Sequence, residues 1–271
     1  TLGTTTTGAT ATSSATSAPT TPTTQPQLPA HCRPQMFTPR VIASLVADYP
    51  GKAITAHVYD LRTGCDYSYN PDNRQLTASV FKVMVMAGTL LEAQNEGRAL
   101  NDFEMGQLVP MITESTNEPV RALWDHFGGS PWFAEQGEIF GLGQTNITAD
   151  DGSSWGGTTS SARDQVDLLR QVLLGQGGPL DAESRAIAID LMTSVVPSQT
   201  WGVTAGVPAG WRVAQKNGFV GVVINSVGWV DEPGVSQGYV VAILSQGWPD
   251  HPTGIAAVER VNRIIAEAMT S

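Results

Sequence analysis

Two residues at helical spacing open the chemical argument. In Ala78-Ser79-Val80-Phe81-Lys82 one turn of helix puts the Ser79 hydroxyl and the Lys82 amine on the same face. A serine hydroxyl is a poor nucleophile until a base takes its proton. A lysine whose pKa is lowered by burial and a nearby cation can be that base. Two more polar triplets follow, Ser115-Thr116-Asn117 ahead of an expected helix and Lys216-Asn217-Gly218 among strand patterns. Each has a plainer reading. Ser79 can cap a helix beside a solvated Lys82, and Ser115 to Asn117 can be a cap and turn. Gly218 would let a ligand come close to strand backbone.

In this order the triplets resemble the Ser-x-x-Lys, Ser-x-Asn and Lys-Thr/Ser-Gly signatures of serine β-lactamases and penicillin-binding proteins. The likeness is greatest to class A β-lactamases and runs from about Thr38 to Met269. Val58-Tyr59-Asp60 to Gly64, with Tyr67-Ser68-Tyr69-Asn70, resembles the family's opening hairpin. Val207-Pro208-Ala209-Gly210-Trp211 is similar to a class A segment in the same place. Thr158-Thr159-Ser160-Ser161, followed by Asp164, resembles the start of the helix after the Ω loop.

The resemblance implies a role for each residue. Ser79 is the acylated nucleophile and Lys82 its base or proton relay. Ser115 passes the proton to the leaving nitrogen, and Asn117 supports Lys82 and the substrate amide. Lys216 supplies positive field near Ser115 and the substrate carboxylate. The backbone N–H groups of Ser79 and Phe219 form an oxyanion hole, and Asn217, Gly218 and Phe219 contact substrate.

Two departures qualify this picture. Asn217 stands where the family has a hydroxyl residue that binds the substrate carboxylate; an amide can donate too, from a different position. Class A enzymes also use an Ω-loop Glu to activate the deacylating water. An ungapped pattern from Ser115 through Gly128-Gly129 and Gly141 puts Asp151 there, one methylene shorter, in a loop several residues short. Asp151 is either a displaced catalytic acid or a turn former with Gly152. The expectation is acylation with slow deacylation.

These residues need elements to hold them. Helical spacing covers Thr38 to Tyr49, then Leu76 to Asn95, the longest apolar helix in the sequence. Further helices are expected over Phe103 to Ile112, Pro119 to Phe127, Pro131 to Phe140, Ser161 to Leu174, Ala182 to Val195 and Gly254 to Met269. Asn117 is a candidate cap, with Gly128-Gly129 as the stop. Strands are expected over Ala53 to Tyr59, Asp66 to Tyr69, Trp211 to Gln215, Gly218 to Ile224, Ser226 to Val230 and Tyr239 to Leu244. The order predicts an α/β (α+β) fold. Terminal strands share one antiparallel sheet, central helices form a second lobe, and the groove between them binds ligand.

The 271-residue chain opens on a stretch, Thr1 to Ala30, made almost wholly of Thr, Ala, Ser, Pro and Gly. Such a composition cannot offset its ordering entropy, so residues 1–30 read as a disordered tether and 31–271 as one catalytic domain. The sequence begins at Thr1, so any leader is expected to have been removed or left out. A low-complexity tether suits a secreted or envelope-attached protein, where Cys32 and Cys65 would join as a disulfide; two unrelated thiols are the other reading.

A net charge of −10 disfavours nucleic acid and anionic membrane as partners. The apolar run Val83–Leu91 is too short to span a bilayer. His31, His57, His126 and His251 lack ligand spacing, so neither metal nor cofactor is expected. Trp124, Trp132, Trp155 and Trp229 are expected to pack, with Trp155 also placed to line the cleft. The expected partner is a small β-lactam or a D-Ala-D-Ala-like amide, met by a monomer. The rival from another class is a non-catalytic envelope protein that keeps the cleft to bind a cell-wall fragment.

Overall fold

The computed structural model describes residues 28–147, 155–235 and 237–271. Most of the expected tether, and Asp151, lie outside the described residues. Helix α1 (Pro39–Asp48) starts where Thr38 Oγ1 accepts the Val41 amide hydrogen and proline occupies the first turn. Strands β1 (Ala53–Asp60) and β2 (Cys65–Tyr69) form the opening hairpin. After β3 (Gln75–Leu76) come a 3-10 turn over Ala78–Phe81, then α2 (Lys82–Asn95), α3 (Asp102–Thr113), α4 (Glu118–Phe127) and α5 (Ser130–Ile139). Strand β4 (Thr159–Ser160) precedes α6 (Ala162–Leu174) and α7 (Ala182–Thr193). The chain closes with β5 (Arg212–Val220), β6 (Val223–Glu232), β7 (Gln237–Gln246) and α8 (His251–Thr270).

The five long strands form one antiparallel sheet in the order β2-β1-β7-β6-β5, so early and late strands meet through β1 and β7. Side chains alternate across it. On β7, Val240, Ala242 and Leu244 join α2 and α6 in one core. Tyr239, Val241 and Ile243 face the other way, packing with Leu45 of α1 and Val258, Val261 and Ile265 of α8. The sheet is therefore sandwiched between the helical lobe and the two terminal helices. Helix α2 is buried almost all round, as expected of a central helix.

Three expectations change. The long apolar helix begins at Lys82, not Leu76, because the residues before it are captured as extended chain and a tight turn. Strand β3 pairs with β4, and Asn225 Nδ2 donates to the Leu76 and Thr77 carbonyls at 2.8 and 3.0 Å. The strands expected to break around Lys216 and between Ile224 and Ser226 are instead one continuous hairpin, β5–β6. It turns at Gly221-Val222, where Gly221 has φ 52°. Helix α8 starts three residues early because Asp250 accepts the Thr253 amide hydrogen and caps it.

Cys32 and Cys65 form a disulfide with their Cα atoms 5.8 Å apart, fastening the first described residues to β2. Beside it, buried Asp60 faces the Arg33 and Arg62 guanidiniums at 3.6 and 3.5 Å. Both arginines also donate to carbonyls at the end of α8, on Ala268 and Met269. The N-terminal segment, the hairpin and the C-terminal helix are thus locked together. His31 lies close to both cysteines, a proximity that the spacing did not reveal, but their sulfurs are bonded to each other and offer no metal ligand. No helix among the described residues is long and apolar enough to cross a membrane.

Candidate active site

The nucleophile candidate sits on a tight turn. Ala78 has φ 47°, a left-handed conformation unusual for a residue with a Cβ and costing on the order of 1–3 kcal/mol. The Thr77 amide and hydroxyl both donate to the Thr158 carbonyl, at 3.0 and 3.1 Å, which holds the strained corner. Ser79 follows in the 3-10 turn, and the Lys82 amide closes back on the Ser79 carbonyl. The two residues are thus related by 3-10 geometry, which stacks positions i and i+3 one above the other.

The second triplet lies in the α3–α4 link. Ser115 has φ 66°, the left-handed conformation again, so the chain reverses sharply after α3. Asn117 occupies the N-cap position of α4 yet makes no capping bond. Its Oδ1 instead accepts from Lys82 Nζ at 2.9 Å. Lys82 Nζ also donates to the Ser115 carbonyl and lies 3.3 Å from Ser115 Oγ. The expected cap is therefore a partner of the lysine.

The third triplet comes from the sheet. On β5, Ala214, Lys216 and Gly218 point to the helical lobe, and Lys216 Nζ donates to Ser115 Oγ at 2.8 Å. Gly218 is where the strand meets the turn that carries Ser79. A Cβ there would stand 2.8 Å from the Val80 nitrogen and 2.9 Å from both the Ser79 nitrogen and the Thr77 oxygen. Its missing side chain makes room for protein backbone, not, as the sequence suggested, for a ligand. Phe219 is next, half-exposed, with its ring edge-on to His251 at 4.7 Å.

Two lysines therefore converge on one serine hydroxyl. Both are buried, at 0% exposure for Lys82 and 1% for Lys216. Burial pulls the Lys82 amine down from the usual lysine value to about 8, against the opposing pull of the Glu118 carboxylate. Burial, and then the charge on Lys82, hold Lys216 well below an ordinary lysine. The arrangement can move a proton between an amine and a hydroxyl near neutral pH, next to a serine on a rigid turn.

The model of the β-lactamase enzyme family matches residues 39–104 and 107–269. This chain belongs to that family. Beta-lactamase AER-1 of Aeromonas hydrophila is 25% identical over 246 residues, spanning 78% of this chain and 79% of the relative. A variant of PBP-A, solved as an acyl-enzyme complex with penicillin G, superposes with a TM-score of 0.73 at 25% identity, covering 84% of this chain and 94% of that one. The class A β-lactamase from Mycobacterium abscessus gives a TM-score of 0.74 at 21% identity, covering 86% and 99%, which speaks for the fold. The protein is a serine hydrolase of the β-lactamase type, similar to both class A enzymes and PBP-A.

Sequence reasoning missed three residues that brace this β-lactamase-family site. Asn225, fully buried on β6, holds the Leu76 and Thr77 carbonyls ahead of Ser79 and accepts the Ser245 amide hydrogen at 2.9 Å. Gln75 reaches the Leu244 carbonyl, and Thr77 anchors the strained corner. The loop expected to carry the deacylating acid lies partly outside the described residues, but both its ends are held. Asn146 bridges to Thr159, and the buried Asp164 carboxylate accepts from the Gln144 amide and the Thr145 hydroxyl at 2.8 and 2.7 Å. Burial raises the Asp164 carboxyl above its usual value. Trp155 packs partly buried against the lobe's core, and Trp124 stacks on Phe133 at 5.0 Å.

Proposed function

We propose that Ser79 is acylated by β-lactams or D-Ala-D-Ala-like amides and that the acyl-enzyme breaks down slowly. The observation that carries this reading is the double contact of Ser115 Oγ with Lys82 and Lys216. A neutral Lys82 takes the Ser79 proton as the hydroxyl attacks the carbonyl carbon. The Ser115 hydroxyl, poised between the two amines, delivers a proton to the departing nitrogen. The Ser79 and Phe219 amides would supply the oxyanion hole, with Gly218 letting strand and turn come close.

The finer choice of substrate is supported by the PBP-A variant solved as an acyl-enzyme complex with penicillin G. Slow deacylation rests on the sequence, where Asp151 replaces a longer acid in a shortened loop. A location outside the cytoplasm is supported by the disulfide, which oxidising compartments preserve. Intact-mass analysis after incubation with a penicillin and with a chromogenic cephalosporin tests the reading. The expected result is a covalent adduct that decays slowly and is absent from Ser79→Ala. Rapid turnover without adduct would overturn slow deacylation. Neither adduct nor turnover would favour a cleft kept for binding alone.

A further inference from the structure

The third triplet contains one residue that points away from the reacting groups. Along β5 the side chains of Ala214 and Lys216 face the helical lobe, so Asn217, the next residue, faces the layer of terminal helices. It is 2% exposed. Asn217 Nδ2 donates to the Gln199 and Trp201 carbonyls at 2.7 and 3.1 Å. Its Oδ1 accepts from the Ser226 hydroxyl at 2.6 Å, across the pair that joins β5 to β6. Both donor hydrogens and the acceptor are therefore engaged by protein.

These bonds belong to a larger clamp. Gln215 Nε2 reaches the same Gln199 carbonyl at 3.2 Å, so the residues on either side of Lys216 grip one point of the connection between α7 and β5. The Val203 amide donates to Ser226 Oγ at 2.9 Å, and Asn262 of α8 holds the Val203 and Ala205 carbonyls from the far side. Gly202 has φ 75°, and a Cβ there would come within 2.2 Å of Ser226 Oγ, so the connection lies flat on the network.

We propose that Asn217 is a positioning residue that fastens the 199–203 connection to β5, not a donor to a substrate carboxylate. Both hydrogens of the Asn217 amide are already given to protein carbonyls, which leaves none for a ligand. What Asn217 contributes is a fixed strand on either side of its own position, where Lys216 reaches Ser115 and Gly218 meets Ser79. The consequence is a site that gains little from a substrate's carboxylate through this residue. That consequence rests on the proposed acylation of Ser79, whereas the clamp itself does not.

Two measurements keep these apart. In the free, isotope-labelled protein the Asn217 side-chain amide protons should exchange about a hundredfold more slowly than those of exposed Asn73. Exchange as fast as Asn73 would overturn the clamp. Acylation is then followed with a cephalosporin and its methyl ester in the wild type, Asn217→Ala and Ser226→Ala. The expected result is a lower melting temperature in both variants, with acid and ester slowed by the same factor. A loss of tenfold or more confined to the free acid in Asn217→Ala, with Ser226→Ala unaffected, would overturn the proposal. If Asn217→Ala does not fold, Ser226→Ala and the exchange rates still decide it. A wild type that acylates with neither compound would defeat the nucleophile assignment and leave the exchange and melting results to judge the clamp.

Discussion

Gly218 and Ser79 are in backbone contact: a Cβ on the glycine would lie 2.9 Å from the Ser79 nitrogen. The other atoms it would meet, the Val80 nitrogen and Thr77 oxygen, are also backbone and cannot rotate aside. Gly218→Ala must therefore push β5 and the nucleophile's turn apart. A shift of about 1 Å in a reacting group costs on the order of a hundredfold in rate. Acylation by a chromogenic cephalosporin should fall by about that factor in stopped-flow measurements. An unchanged acylation rate would show that the turn and strand need not touch.

The motifs were legible because they are short and ordered along the chain, and Lys82, Ser115, Asn117 and Lys216 do meet through hydrogen bonds, with Ser79 on the turn that leads into Lys82. That early and late strands share one antiparallel sheet was legible too, since terminal strand patterns flank a helical block. What the sequence concealed has one physical source. The strands were expected to stop at Gln215 and resume at Gly218, leaving Lys216 and Asn217 between them. Here these two lie mid-strand, since Ser115, Gln199, Trp201 and Ser226 supply partners that only the fold brings close. Asn225 was overlooked for the same reason. A buried asparagine in an apolar strand is costly unless its partners are placed, and that cost is itself a signal.

Acylation should depend on the charge of Lys82. Burial brings its amine down to about 8, which leaves a minor neutral fraction, on the order of a tenth, at pH 7. If the neutral amine is the base, the acylation rate constant should drop about tenfold per unit below pH 7 and level off above about pH 9. Glu118 raises the Lys82 value, so Glu118→Gln should move the whole profile to lower pH. Rates of adduct formation between pH 5 and 10 check both points. A flat profile would assign the proton to another group.

The Cys32–Cys65 disulfide closes a loop of 33 residues. In the chain-entropy picture such a bridge contributes about 3–4 kcal/mol through the unfolded state. Reduction should lower the melting temperature by on the order of 10 °C for a domain of this size. The fold should persist at 25 °C, because Asp60 still holds Arg33 and Arg62 against the end of α8. Calorimetry with and without a reductant measures the shift. No shift, with free thiols counted in the untreated protein, would remove the bridge from the structure.

Asn225 offers the sharpest test of how the nucleophile is held. Its amide satisfies two carbonyls in the segment leading to Ser79, on Leu76 and Thr77, while its oxygen takes the Ser245 amide hydrogen. Asn225→Ala would leave three buried backbone groups without that partner. Each such group costs roughly 1–3 kcal/mol, and relaxation recovers part of it, so about 3 kcal/mol overall is expected. That corresponds to a fall in melting temperature of about 6–12 °C. Stability alone does not make the case, since any core change lowers it. The distinguishing measurement is acylation per folded molecule, well below the melting transition. With the carbonyls released, the strained Ala78 corner can relax toward ordinary helix and carry Ser79 away from Gly218. Acylation should then fall by about a hundredfold even in fully folded protein. A variant that melts early but acylates at the wild-type rate would show that the Thr77 bonds to the Thr158 carbonyl hold the turn without Asn225.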